Sequence, residues 1–158
     1  MIPLWPGTAR SKADECFVAS SEEQSEEANG KGVVHGLDPR HLSLECALEL
    51  QDVAARRGVL IFPRLPNLTG AELLQISQRF GSGEVVSRHV AHPESPEEEI
   101  LRLSNQAAHG VVGVGPQWHH DGSTERRVFS HLLFHAQQMP ATGGETDFAD
   151  LDKYKRTC

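Results

Sequence analysis

Leu44, Ala47, Leu48, Leu50 and Val53 recur at three- and four-residue intervals, the spacing that gathers apolar side chains along one stripe of an α-helix. Ser43 stands just before them, a residue type whose hydroxyl accepts from the free amides of a first turn. Arg56 and Arg57 suit the negative end of the helix dipole, and Gly58 supplies the stop. A second stripe, Leu73, Leu74, Ile76 and Phe80, follows Thr69 as its cap and ends at Gly81. Between the two the pattern changes. Val59, Leu60, Ile61 and Phe62 form a short apolar run closed off by Pro63 and Pro66, which reads as a buried strand. Val33 and Val34 mark a shorter strand ahead of the first helix.

The second half of the chain is patterned for strands. Residues 100–103 (Ile-Leu-Arg-Leu) and the long run 128–139 are the candidates. Along the latter, Val128, Ser130, Leu132, Phe134 and Ala136 alternate with Phe129, His131, Leu133, His135 and Gln137. Both sets are half apolar, as in a strand with both faces covered. Gly143 and Gly144 then predict a turn into a strand starting at Glu145, and Asp150 predicts the cap of a helix over 151–156. The stretch His109 to Gly115 is rich in glycine but lacks the order of a dinucleotide or phosphate loop, so it is expected to be a flexible loop at the mouth of a site. No internal repeat is present.

Composition narrows the class. At 158 residues and 38% hydrophobic the chain fits one ordinary domain. Its formal charge is −7, of which residues 1–30 carry −4, leaving −3 for the rest. Residues 1–30 are too polar to offset the entropy of ordering them, so a disordered acidic leader is expected there, followed by a domain over 31–158. With no basic face, neither nucleic acid nor membrane is an expected partner. Cys16, Cys46 and Cys158 are odd in number and lack metal spacing, which fits a reducing compartment. The N-terminus lacks the basic and apolar regions of a signal peptide, and no apolar run reaches a membrane span, so a cytoplasmic location is the default.

Candidate chemistry centres on His119 and Asp121. Two residues apart, they share one face of an extended chain, while His120 points the other way. One imidazole and one carboxylate are two thirds of the 2-His-1-carboxylate triad that holds non-haem Fe(II). His131 and His135 have the spacing of a helical zinc pair, but no glutamate follows His131 and the segment reads as a strand. Trp118-His119-x-Asp121 is followed, after one strand, by Pro140-x-Thr-Gly-Gly-Glu-Thr146. Together with the ordered blocks Leu42-Ser43, Arg57 to Phe62, Leu68-Thr69 and Arg79-Phe80-Gly81, this resembles the TauD/TfdA family of Fe(II)- and 2-oxoglutarate-dependent dioxygenases.

The resemblance spans about residues 32–155 and implies a mixed α/β, mainly β fold: a double-stranded β-helix (a jelly roll, clavaminate synthase-like) with N-terminal helices. It implies Fe(II) and O2 as cofactors, 2-oxoglutarate as cosubstrate, and oxidation of a small, acidic organic substrate coupled to release of succinate and CO2. His119 and Asp121 would be metal ligands. Thr146 would bind the 2-oxoglutarate carboxylate, and Arg88, His89 and Asn105 would face the substrate. Where taurine-oxidising members carry an asparagine, this sequence has Gly115, so taurine itself is not implied. The family's second histidine ligand and its 2-oxoglutarate-binding arginine lie further downstream than Cys158. The expectation is therefore the N-terminal part of such a domain, with an incomplete jelly roll. The alternative is a catalytically inactive, truncated homologue acting as an interaction module. A homo-oligomer is left open.

Overall fold

The computed structural model describes residues 32–81, 85, 90–115 and 117–151. The expected leader over 1–30, the substrate candidates Arg88 and His89, and all but the first residue of the expected helix 151–156 lie outside the described residues. The chain divides into two compact units, Met1–Arg64 and Leu65–Cys158.

In the first unit, strand β1 (Gly32–Val33), helix α1 (Leu44–Arg57) and strand β2 (Leu60–Ile61) form a small βαβ arrangement. The two strands pair in parallel, Gly32 with Leu60 and Val33 with Ile61, which requires the helical crossover that α1 supplies. Gly32 sits close against the partner strand: a Cβ there would stand 2.7 Å from Leu60 Cδ2, so the Leu60 side chain would have to shift. Both ends of α1 follow the expectation: the Ser43 hydroxyl accepts from the Cys46 amide at 3.1 Å, and Gly58 closes the helix with φ 75°. Val34, Leu42, Cys46, Ala47 and Leu50 form the core. The expected stripe is corrected at two positions, since Leu44 and Leu48 are 67% and 55% exposed. The buried side is centred on Cys46, Ala47 and Leu50, and at 100° per residue Leu44 and Leu48 lie roughly 115° and 155° around from its centre.

Ahead of α1, Asp38 caps a 3₁₀ turn, Pro39–His41. The Arg40 side chain, hydrogen-bonded to both carboxylate oxygens at 3.0 Å, holds the Asp38 carboxyl well below its usual 3.8, at about 2. A depressed folded-state pKa stabilises above the unfolded value, and that contribution is lost as pH falls toward the folded one. The turn should therefore hold its stability above pH 3.8 and lose it on approach to about 2. An NMR titration of the Asp38 carboxyl carbon should give that low midpoint, and Arg40→Ala should return it toward 3.8.

The second unit begins with helix α2 (Gly70–Arg79), held by a reciprocal cap. The Thr69 hydroxyl accepts from the Glu72 amide at 3.3 Å, and the Glu72 carboxylate accepts from the Thr69 amide at 2.8 Å. Such a cap contributes about 1 kcal/mol. Of the expected stripe, Ile76 and Phe80 are buried while Leu73 and Leu74 are half-buried, and Leu68 just ahead of the cap is buried with them. The proline-rich loop lies against the first turn, where a Cβ on Gly70 would come within 2.8 Å of Pro96. The strand expected over 100–103 contributes a single parallel bridge, Leu103 to Val111. Gly110 makes that bridge feasible, since a Cβ there would meet the Arg102 carbonyl at 2.9 Å.

Residues 128–136 keep a strand's periodicity without a strand's ladder. Phe129, His131, Leu133 and His135 are half-buried while the residues between them are exposed. The inner set packs toward α2: the His131 ring lies 5.9 Å from that of Phe80, and His135 Nε2 makes a long 3.5 Å contact with the Leu68 amide. At about 13 Å of extended chain per four residues, His131 and His135 share no metal. The outer set leaves Val128, Leu132 and Phe134 at 58%, 51% and 65% exposure. Among the described residues no backbone hydrogen bond pairs 128–147 with another segment. The described elements are two helices of 14 and 10 residues and two strands of 2 residues each, so the expectation of a mainly β jelly roll is not met by them. A strand exists only through its neighbour, and these segments have the pattern but no paired edge. No helix among the described residues is long and apolar enough to cross a membrane.

Candidate functional site

His119 and Asp121 sit in the second unit on a short irregular segment between two left-handed glycines, Gly115 (φ 76°) and Gly122 (φ 72°). Beyond Asp121 the chain turns at once. The Ser123 amide donates to the His120 carbonyl at 3.2 Å and the Glu125 amide to the Gly122 carbonyl at 3.0 Å. A Cβ on Gly122 would stand 3.0 Å from the Phe129 ring, so the turn after Asp121 is seated on the first inward side chain of the extended segment. That seat fixes where the Asp121 backbone leaves the site.

The pair expected to share a face is brought together: His119 Nε2 lies 3.3 Å from Asp121 Oδ1. Both side chains are about half exposed, at 51% and 42%, and so are open to a ligand. His119 Nδ1 is 2.7 Å from the Gln117 carbonyl oxygen. A carbonyl only accepts, so Nδ1 must carry a hydrogen. In a neutral ring that leaves a lone pair on Nε2, facing a carboxylate oxygen that also only accepts. Two acceptors at that distance repel unless a cation lies between them. A ring proton would serve and so would a metal ion. Ligand atoms about 2.1 Å from an octahedral metal and at right angles lie roughly 3 Å apart, close to the observed separation. The donor set and its spacing thus fit two adjacent positions on a metal such as Fe(II). Among the described residues no group of three or more His, Cys, Asp or Glu gathers around one point, so a third protein ligand is not placed.

The other described candidates are Thr146 and Asn105. Thr146 is exposed beyond the left-handed pair Gly143 and Gly144 (φ 79° and 80°), and neither the turn expected at that pair nor the strand expected from Glu145 is formed. No hydrogen bond among the described residues joins it to His119 or Asp121. Asn105 is exposed in the loop that precedes the glycine-rich stretch. That stretch is pinned at its start, where His109 Nδ1 meets Glu94 Oε2 at 3.1 Å and Arg102 Nη1 donates to the Glu94 carbonyl at 2.7 Å. The His109 hydrogen bond is the main reason the exposed Glu94 carboxyl lies below its usual range, with the charges of His109, Arg102 and His92 adding to it. Two contributors to the site were not legible as such. The Gln117 carbonyl is main chain and leaves no residue signal. Gly115 was visible as the end of the glycine-rich loop and as a departure from asparagine, not as a group acting on His119.

Residues 23–155 match the profile of a family described as "Taurine catabolism dioxygenase TauD, TfdA family". No curated protein and no solved structure matches the chain.

Proposed function

The chain belongs to the TauD/TfdA dioxygenase family, and from that premise we propose that His119 and Asp121 bind Fe(II) for a 2-oxoglutarate-dependent oxidation of a small, acidic organic substrate. Family members are dioxygenases and generally use Fe(II) and 2-oxoglutarate. The observation that carries the proposal is the facing of Nε2 and Oδ1 across 3.3 Å with Nδ1 already committed to the Gln117 carbonyl. Such a pair has a clear use once a cation sits in it.

Bound iron with 2-oxoglutarate supplies the oxidising chemistry, in which the keto acid becomes succinate and CO2 while O2 delivers one atom to succinate and one to the substrate. The residues of this chain bind and orient. His119 offers Nε2, Asp121 offers Oδ1 and a balancing negative charge, and Gln117 holds the ring. The Thr146 hydroxyl donates to a carboxylate of 2-oxoglutarate, a group that needs fixed donors once it leaves water. Asn105, with Arg88 and His89, supplies polar contacts for an acidic head group.

A second reading, an interaction module without turnover, draws on the exposed outer side chains Val128, Leu132 and Phe134. Anaerobic calorimetry separates the two. On the oxygenase reading 2-oxoglutarate binds only when Fe(II) is present. Thr146→Val then weakens that binding about tenfold, the equivalent of one charge-assisted hydrogen bond, and leaves the Fe(II) affinity unchanged. No 2-oxoglutarate binding, or the same binding with and without Fe(II), would count against it.

A further inference from the structure

We propose that Gly115 is a positioning residue for His119, present because only a residue without a Cβ lets the imidazole hold the orientation in which Nδ1 donates to Gln117 and Nε2 faces Asp121. The inference rests on the reading of His119 and Asp121 as a ligand pair and adds to it the device that aims the ring. A Cβ at Gly115 would stand 3.1 Å from His119 Cε1 and 3.7 Å from Nε2. The first distance is tighter than ordinary contact, and the two atoms are the edge of the ring that a metal must approach. The ring must give by a few tenths of an ångström, and a movement of the Cε1 edge away from position 115 loosens the 2.7 Å hydrogen bond from Nδ1 to the Gln117 carbonyl. That bond fixes the tautomer, so moving the ring also frees the hydrogen to shift from Nδ1 to Nε2, the form that cannot bind a metal through Nε2. Any larger side chain at 115 would in addition cover the Nε2 edge.

The chain contains its own control. Gly113 is also left-handed, at φ 70°, but a Cβ there would meet nothing within 4 Å. An alanine at either position strains the backbone in the same way, and only the one at 115 touches the ring. The test compares wild type, Gly115→Ala, Gly113→Ala and His119→Ala in the full chain. Nitrogen-15 shifts of the His119 ring report the tautomer without metal, and calorimetric titration with Co(II) reports affinity. Wild type and Gly113→Ala should both show the Nδ1–H form and bind Co(II) within about twofold of each other. Gly115→Ala should mix the tautomers and bind about tenfold more weakly, the size of effect expected for a group that orients a metal ligand.

The proposal is overturned if Gly115→Ala keeps both the tautomer and the affinity. It is also overturned if Gly113→Ala loses as much, since backbone strain and not ring contact would then be the cause. Failure of the underlying reading looks different. In that case wild type takes up no Co(II), or His119→Ala binds it as tightly, while the tautomer comparison still decides whether Gly115 aims the ring.

Discussion

Replacing His119 with alanine is expected to lower the affinity of the chain for a divalent metal by more than about a hundredfold, beyond what losing an orienting neighbour costs. The reason lies in the geometry. His119 Nε2 and Asp121 Oδ1 are 3.3 Å apart and both are open to solvent, so a metal entering between them gains two bonds for one loss of freedom. Removing either partner leaves one exposed group with ordinary solution affinity. Asp121→Asn, which keeps the shape and removes the charge, should cost a similar factor. If the contact is instead an ion pair between a protonated ring and a carboxylate, neither substitution changes metal affinity measurably. Co(II) calorimetry on the two variants distinguishes the outcomes.

Leu50→Ala should be the most damaging substitution for folding. Leu50 and Ala47 are both 0% exposed on the face of α1 that covers the β1–β2 pair. Truncating a leucine so enclosed typically costs about 2–5 kcal/mol, the transfer of the lost methyls plus the cavity left behind. Leu48→Ala is the matched control. At 55% exposure on the opposite side of the same helix, it should stay within about 0.5 kcal/mol of wild type. Urea unfolding followed by circular dichroism reads both. The Leu50 variant should unfold at lower urea with an unchanged slope, and equal costs for the two leucines would mean that the buried face has been misassigned.

The contrast between those two leucines shows what a sequence carries and what it does not. Caps and stops were legible because they are local: Ser43, Gly58 and Thr69 satisfy or end a turn within four residues, whatever surrounds them. The short strands flanking α1 were legible as apolar runs, but the second is not buried as expected, with Ile61 39% exposed. Which side of α1 is buried was less so, because Leu44 and Leu48 make an equally apolar row and only packing chooses between the rows. The long segment 128–136 kept its alternation, with Phe129, His131, Leu133 and His135 turned inward. Its pairing could not be read from the segment itself, since a strand is completed by residues far away in the chain. The site follows the same division. A two-residue spacing brought His119 and Asp121 together, whereas the groups that aim His119 are a carbonyl and a missing Cβ, neither of which appears as a functional side chain.

The most direct measurement follows the ring nitrogens of His119 and the carboxyl carbon of Asp121 by NMR as Zn(II) is added to the chain. If the pair is a metal site, Nε2 and the Asp121 carboxyl shift together and saturate with a single metal, while Nδ1 keeps its hydrogen. Metal uptake that leaves both signals in place, or a shift at Nδ1 alone, would contradict the account.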